Sequence, residues 1–433
     1  MSEMKYPNLR LYKNPFEVSV ERDVQSIQEI IEDVNRFCLD IRAKEYERIK
    51  KVFLLPLLNP SEGKAENLWV RGTKGVGKSI LLKKLAYDLY GKPDIVVLYV
   101  KVPEEGLDIQ GIYKRSIQWL GQSTFEKLAL KIYEDFIKNM SLNVAARIFK
   151  VPPDQLEQFT ANLKELVTKQ PEIIFKIFSK DPSAIKEMED LGINPGMIKL
   201  NALTYQVSVN CVANHNLYKK FADLISTLPE NPAEGYVRIR EISAKEVVPV
   251  FIAIEKAFSK FFGTRAVVII LDEFEIAWLK MSEKQRITMV VAVRALHDAS
   301  QGNIKFISTM TEEVFELLKE GKYKHILDVI PRTTIGRNII DVSSLDTSQA
   351  IRLAEFLLSQ EGVRPPDAKF VHPFEPEVIE VINRKVQGIT RELINDLKQI
   401  VDEAEERGMK IINIENLLKI SDVYEPYVHV PHS

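Results

Sequence analysis

The sequence is poor in several features that mark broad protein classes. Its 433 residues include two cysteines, Cys38 and Cys211, far apart and without Cys-x-x-Cys spacing. A disulfide framework and a thiolate zinc site are therefore excluded, and the usage fits a reducing compartment. No stretch reaches the roughly 18 consecutive apolar residues that a membrane span needs. The longest runs, Val52–Leu58 and Ala266–Leu271, have the length of buried strands. The opening Met1-Ser2-Glu3-Met4-Lys5-Tyr6-Pro7 lacks the charged-then-apolar pattern of a secretory signal, so a cytoplasmic chain is expected. Neither sign of charge dominates: 59 Lys and Arg against 61 Asp and Glu leave a formal net charge of −2. That argues against a surface built as a whole to seek nucleic acid, although a local basic patch is compatible with it. Histidine is scarce as well. His429 and His432 have a metal-like spacing but sit in a tail without partners, and His215, His297, His325 and His372 are scattered.

What is present is a long chain with an ordinary apolar fraction of 45%, enough to bury a sizeable core. Its length predicts two or three packed units at about 100–200 residues each. After Asn14-Pro15-Phe16, the apolar spacing predicts one long helix from about Val24 to Lys51 within an N-terminal segment 1–65. Leu68-Trp69-Val70 reads as a strand, and a leucine-rich helix follows from Lys78 to the stop at Gly91-Lys92-Pro93. Ile95–Val102 is apolar on both parities, as in a strand covered on both faces.

From about 103 to 245 the pattern changes to consecutive helices, such as Thr124–Asn139 and Pro153–Thr168, punctuated by proline turns. Alternation resumes with the helix Val247–Phe262, the strand Ala266–Leu271, the helix Lys284–Ala299 and the strands Ile304–Met310 and Asn338–Leu345. Beyond Asp346 only helices are expected: Ser348–Gln360, Pro376–Val386, Thr390–Arg407 and Ile414–Ile420, then an irregular tail Val423–Ser433. The order predicts an α/β fold: a parallel sheet flanked by helices across 66–345, a large helical insertion, a C-terminal helical lid at 346–422 and a tail at 423–433.

One motif carries the chemistry. Gly72-Thr73-Lys74-Gly75-Val76-Gly77-Lys78-Ser79 satisfies the phosphate-loop pattern at every constrained position, with a strand before it and a helix after it. Glycines let backbone N–H groups turn inward around a phosphate. Lys78 reaches the β- and γ-oxygens, Ser79 offers its hydroxyl to Mg²⁺, and the helix beginning at Lys78-Ser79-Ile80 points its positive end at the anion. The ligand class is a nucleoside triphosphate with Mg²⁺. No Asn-Lys-x-Asp guanine-reading motif occurs, which favours ATP over GTP.

The strand Ala266–Leu271 ends in Asp272-Glu273-Phe274-Glu275. A carboxylate at that position, Asp272, suits the metal, held through its water shell, and Glu273 is the candidate base that polarises the attacking water. Phe274 and Glu275 read as structural.

Together these two motifs resemble those of the AAA+ ATPases. The resemblance covers about residues 14–102 and 247–420 and leaves out the middle. It implies a P-loop NTPase core, ATP hydrolysis and assembly into an oligomer. Lys305–Thr311 occupies the place of the sensor-1 strand, which makes Thr309 and Thr311 candidates to contact the γ-phosphate or the water. Gly388-Ile389-Thr390-Arg391-Glu392-Leu393 resembles the sensor-2 motif, with Arg391 reaching the phosphates. Arg332, and after it Arg337, match the arginine that acts across a subunit boundary. Lys101 lies where many members place a polar residue that restrains the catalytic glutamate.

Asn14-Pro15-Phe16 and Glu21-Arg22-Asp23 resemble the archaeal replication-initiator branch, and the Leu271–Glu275 stretch with Thr309-x-Thr311 also resembles BREX-type ATP-binding proteins of defence islands. Two departures stand out. The few residues after about Ile420 leave no room for the initiators' winged helix, and the interval between Ser79 and Asp272 is far longer than the family core requires.

The leading expectation is an ATPase that delivers conformational change to a macromolecular partner through the helical insertion. A DNA-handling initiator or loader and a nucleotide-gated scaffold with incidental hydrolysis are the alternatives. For DNA, Lys219-Lys220 and Arg238/Arg240 are the available cations, but neighbouring acids favour a solvated surface.

Overall fold

The computed structural model describes residues 4–17, 26–36, 39–62, 65, 67–103, 107–319, 338–360, 363 and 371–428. Five parallel strands, β1 (Leu68–Arg71), β2 (Ile95–Lys101), β3 (Ala266–Asp272), β4 (Ile304–Met310) and β5 (Ile339–Asp341), form one sheet in the order β2-β3-β4-β1-β5. Parallel strands need crossover connections, and helices supply them on both faces. The fold is α/β, a parallel sheet flanked by helices with a helical C-terminal region, as the order of elements in the sequence predicts.

The alternation in β3 shows why its sequence is apolar throughout. Val267, Ile269 and Leu271 face one core, while Ala266, Val268 and Ile270 face the other. Each fully buried branched side chain contributes on the order of 1.5–3 kcal/mol. On the first face the helices between β2 and β3 share one core with the sheet, so Phe125, Ile132, Tyr133, Phe251 and Phe258 cluster with Leu98 and Val100. These helices run from Ile109 to Phe262, and local signals start several of them. The side chains of Asp108, Ser141, Asp181 and Asn231 each accept a backbone N–H at a helix start.

The second face is covered by the helix Lys78–Leu89 and by the helical segments Ile27–Arg36 and Ala43–Leu58. The single long helix expected from Val24 to Lys51 is interrupted. A 3-10 turn at Leu39–Arg42 precedes Ala43–Ile49, and a wider π-type turn at Lys50–Leu54 carries the helix on to Leu58. Val52–Leu58 is thus helical and not a strand. Its apolar run reflects partial burial beneath the sheet, where Phe53, Leu54 and Leu57 are covered.

The lid helices Thr347–Leu358, Pro376–Lys385, Thr390–Glu406 and Ile414–Ile420 have a core of their own, and Asp346 caps the first through a reciprocal pair with Gln349. Tyr6, Leu9, Leu11 and Phe16 complete that core. Tyr6 and Asn14 both donate to Asp402, at 2.7 and 2.9 Å. Segment 1–65 therefore packs in two places, its first residues on the lid and its helices on the sheet. The described part of the tail is also more ordered than expected, with a turn at Asp422–Tyr424, where Tyr424 is buried against the lid, and a short helix Glu425–Val428. β5 is shorter than the strand read over Asn338–Leu345.

Candidate nucleotide site

The sheet order brings two loops to one end. β4 lies between β1 and β3, so the loop after β1 and the acids after β3 converge at the carboxyl edge of the sheet with the end of β4 between them. Two glycines are required there. Gly77, the residue before the helix Lys78–Leu89, has φ 109°, which a side chain resists. A Cβ on Gly72 would come within 2.6 Å of the Val342 carbonyl oxygen.

Lys78 is 6% exposed. Its Nζ donates to the carbonyl oxygens of Gly72 at 2.9 Å and Thr73 at 3.1 Å, and it pairs with Glu275 Oε1 at 3.2 Å. Ser79 Oγ donates to Asp272 Oδ1 at 2.9 Å, the Glu273 N–H donates to the same oxygen at 3.0 Å, and Tyr99 OH donates to Asp272 Oδ2 at 2.6 Å. Three of the roughly four lone-pair positions of a carboxylate are thus engaged. Such a group suits holding metal-bound water better than direct ligation. One hydroxyl and one outer carboxylate fit Mg²⁺, which keeps several waters and takes its other oxygens from phosphates.

Glu273 sits in the left-handed region, with φ 60°. Strain of this kind costs about 1–3 kcal/mol and persists where surroundings fix it. Burial, then the Asp272 charge, raise its carboxyl above the ordinary value, while Lys101 and Arg391 oppose the shift and Glu275 adds to it. A raised acid makes folding more favourable to the protonated form, so its contribution to stability falls as pH rises from the ordinary carboxyl range through the raised value. Glu273→Gln is accordingly expected to melt higher than wild type at neutral pH, and to lose that advantage below about pH 4. Melting temperatures across pH check this.

The lid closes the site from one side. The Arg391 N–H donates to the Gly75 carbonyl oxygen at 3.0 Å, and Thr390 Oγ1 donates to that of Val76 at 3.1 Å. Arg42, 1% exposed, donates to the same Val76 oxygen at 2.6 Å and pairs with Glu45. Between loop, acids and lid lies a cavity of about 340 Å³. Lys74, Lys101, Glu273, Thr311 and Arg391 line it together with Lys78 and Ser79.

No family model and no curated protein matches the chain. Among solved structures it is similar to the ORC1 protein of Aeropyrum pernix, determined in complex with DNA. The identity is 12% and the TM-score 0.40, over 88% of this chain and 64% of that one.

The residues singled out from the sequence divide into groups. Gly75, Gly77, Lys78, Ser79, Asp272, Glu273, Thr311 and Arg391 gather at the cavity. Thr309 is fully buried beside it and turns away: its hydroxyl donates to Glu275 Oε2 at 2.6 Å and accepts from the Phe274 N–H at 3.3 Å. Arg332 and Arg337 lie outside the described residues, as do His325, His429 and His432. Two residues went unnoticed in the sequence, Tyr99 and Arg42, which have no local pattern to mark them; Glu275, read there as structural, pairs with Lys78. Among the described residues no group of three or more His, Cys, Asp or Glu is arranged to hold a metal, and no helix is long and apolar enough to cross a membrane.

Proposed function

We propose that this chain is a Mg²⁺-dependent ATP hydrolase of AAA+ type that converts binding and hydrolysis into a conformational change acting on a macromolecular partner. The observation that carries the reading is the Ser79–Asp272 hydrogen bond of 2.9 Å beside the buried Lys78, at the carboxyl edge of a parallel sheet. A phosphate loop alone binds phosphate; a carboxylate held against its serine adds a place for the metal.

Ser79 and Asp272 would hold Mg²⁺, which when bound would supply charge neutralisation at the β- and γ-oxygens. Lys78 binds the same oxygens, and the loop amides surround the β-phosphate. Glu273 accepts the proton of an in-line water. Arg391 stabilises charge from the lid, and an arginine of a neighbouring subunit, Arg332 or Arg337, completes the site in a homo-oligomer; fingers of this kind are worth about 10³–10⁵ in rate. Because Thr390 and Arg391 touch the loop directly, a change in the loop reaches the lid without an intermediary.

The test is calorimetry with ATP and with GTP at millimolar magnesium. Absence of any nucleotide affinity in the wild-type chain defeats the reading. Tyr99→Phe refines it. Losing the hydrogen bond to Asp272 is expected to weaken the magnesium dependence of ATP binding by about 10-fold, the lower end for groups that orient a metal's partners. A magnesium titration of affinity measures this.

A further inference from the structure

One charged contact in the site has no part in the hydrolysis scheme. An ammonium group has three N–H donors, and Lys78 Nζ has three oxygen neighbours: the carbonyls of Gly72 and Thr73 and the carboxylate of Glu275. Both carbonyls belong to the phosphate loop and hold the lysine to its own strand end. The carboxylate arrives from a different element, the helix Phe274–Lys280 after β3. Phosphate oxygens that engage Lys78 need one of its donors, and they repel a carboxylate 3.2 Å from the same nitrogen. Glu275 is the neighbour that both requirements remove. With side chains 6% and 10% exposed, Lys78 and Glu275 meet where such exchanges are weakly screened. The other Glu275 oxygen stays tethered to Thr309.

We propose, building on the nucleoside-triphosphate reading of the site, that Glu275 is the group displaced from Lys78 by the nucleotide's outer phosphates. It sets how tightly the site holds a triphosphate relative to a monophosphate, and it passes occupancy to the helix Phe274–Lys280. That helix is a suitable messenger, since Phe274 and Trp278 pack on each other and join the core shared with the insertion helices. The Thr309 tether makes the displacement a swing about a fixed point, so Glu275 exchanges one partner and keeps the other.

Glu275→Gln removes the charge and keeps an acceptor for Thr309. ATP is expected to bind this variant about tenfold more tightly than wild type, in line with couplings of close charge pairs. AMP, which has neither outer phosphate, is expected to bind both forms alike. Calorimetry with the full chain reads both. Equal or weaker ATP affinity in folded Glu275→Gln overturns the exchange while leaving the nucleotide reading intact; no ATP binding by wild type defeats both. Should Glu275→Gln fail to fold, Glu275→Asp retracts the carboxylate by one methylene and is expected to tighten ATP by a smaller factor. In the wild-type chain Trp278 lies one turn beyond Glu275, so indole emission should shift with ATP and not with AMP. An emission unchanged by saturating ATP overturns the exchange whatever the variants do.

Discussion

Glu273→Gln is expected to lower the rate of phosphate release by about 10²–10⁴-fold while ATP still binds, the range typical of losing a positioned general base. Glutamine keeps the shape and removes only the ability to take a proton. The backbone of residue 273 is already fixed in the left-handed region, so the variant inherits the same placement, and the loss is in turnover rather than in folding. The raised Glu273 carboxyl adds a second signature, since hydrolysis needs the ionised form. The acid limb of the wild-type rate profile should therefore lie above the range of an ordinary glutamate. Single-turnover phosphate release, paired with calorimetry, separates the outcomes. A variant that hydrolyses at the wild-type rate removes Glu273 from the mechanism.

Lys78→Ala is expected to weaken ATP binding by at least about 30-fold, because truncating a buried, hydrogen-bonded charge costs about 2–5 kcal/mol. The same change strands Glu275 in a site where its side chain is 10% exposed. Breaking a buried pair by removing one member typically destabilises by about 3–5 kcal/mol, more than removing both. Lys78→Ala is thus expected to melt well below wild type, and Lys78→Ala with Glu275→Ala to recover part of the loss without recovering ATP affinity. Thermal unfolding and calorimetry on the two variants measure both effects. A double variant less stable than the single one contradicts the ion pair at this position.

These expectations rest on residues of unequal visibility in the sequence. The phosphate loop and Asp272-Glu273 are contiguous and chemically constrained, and the helix Val247–Phe262 and the strand Ile304–Met310 have the observed limits because their apolar pattern and end signals agree. Tyr99 was hidden in a run of β-branched residues, where its hydroxyl gives no sign of facing Asp272 across the pairing of β2 with β3. Arg42 reaches Val76 over 34 positions of sequence, and nothing local encodes that. Val52–Leu58 misled because a short apolar run looks alike in a buried strand and in a helix half under a sheet. The contacts of Glu275 were hidden for a different reason. Its partners Lys78 and Thr309 come from β1's loop and from β4, which only the strand order makes neighbours.

The docking of Tyr6, Leu9, Leu11 and Phe16 on the lid has a consequence for biosynthesis. Their partners Asp402 and Glu405 lie some four hundred positions downstream, as the separation of 396 between Tyr6 and Asp402 records. A ribosome releases the first of these residues long before the last, so the amino-terminal arm emerges with its apolar side chains unclaimed and stays so while the sheet and the insertion are made. Contacts of such long range form late, and exposed apolar segments invite aggregation in the interval. Docking of the arm therefore waits until the helix Thr390–Glu406, which carries Asp402 and Glu405, has been made.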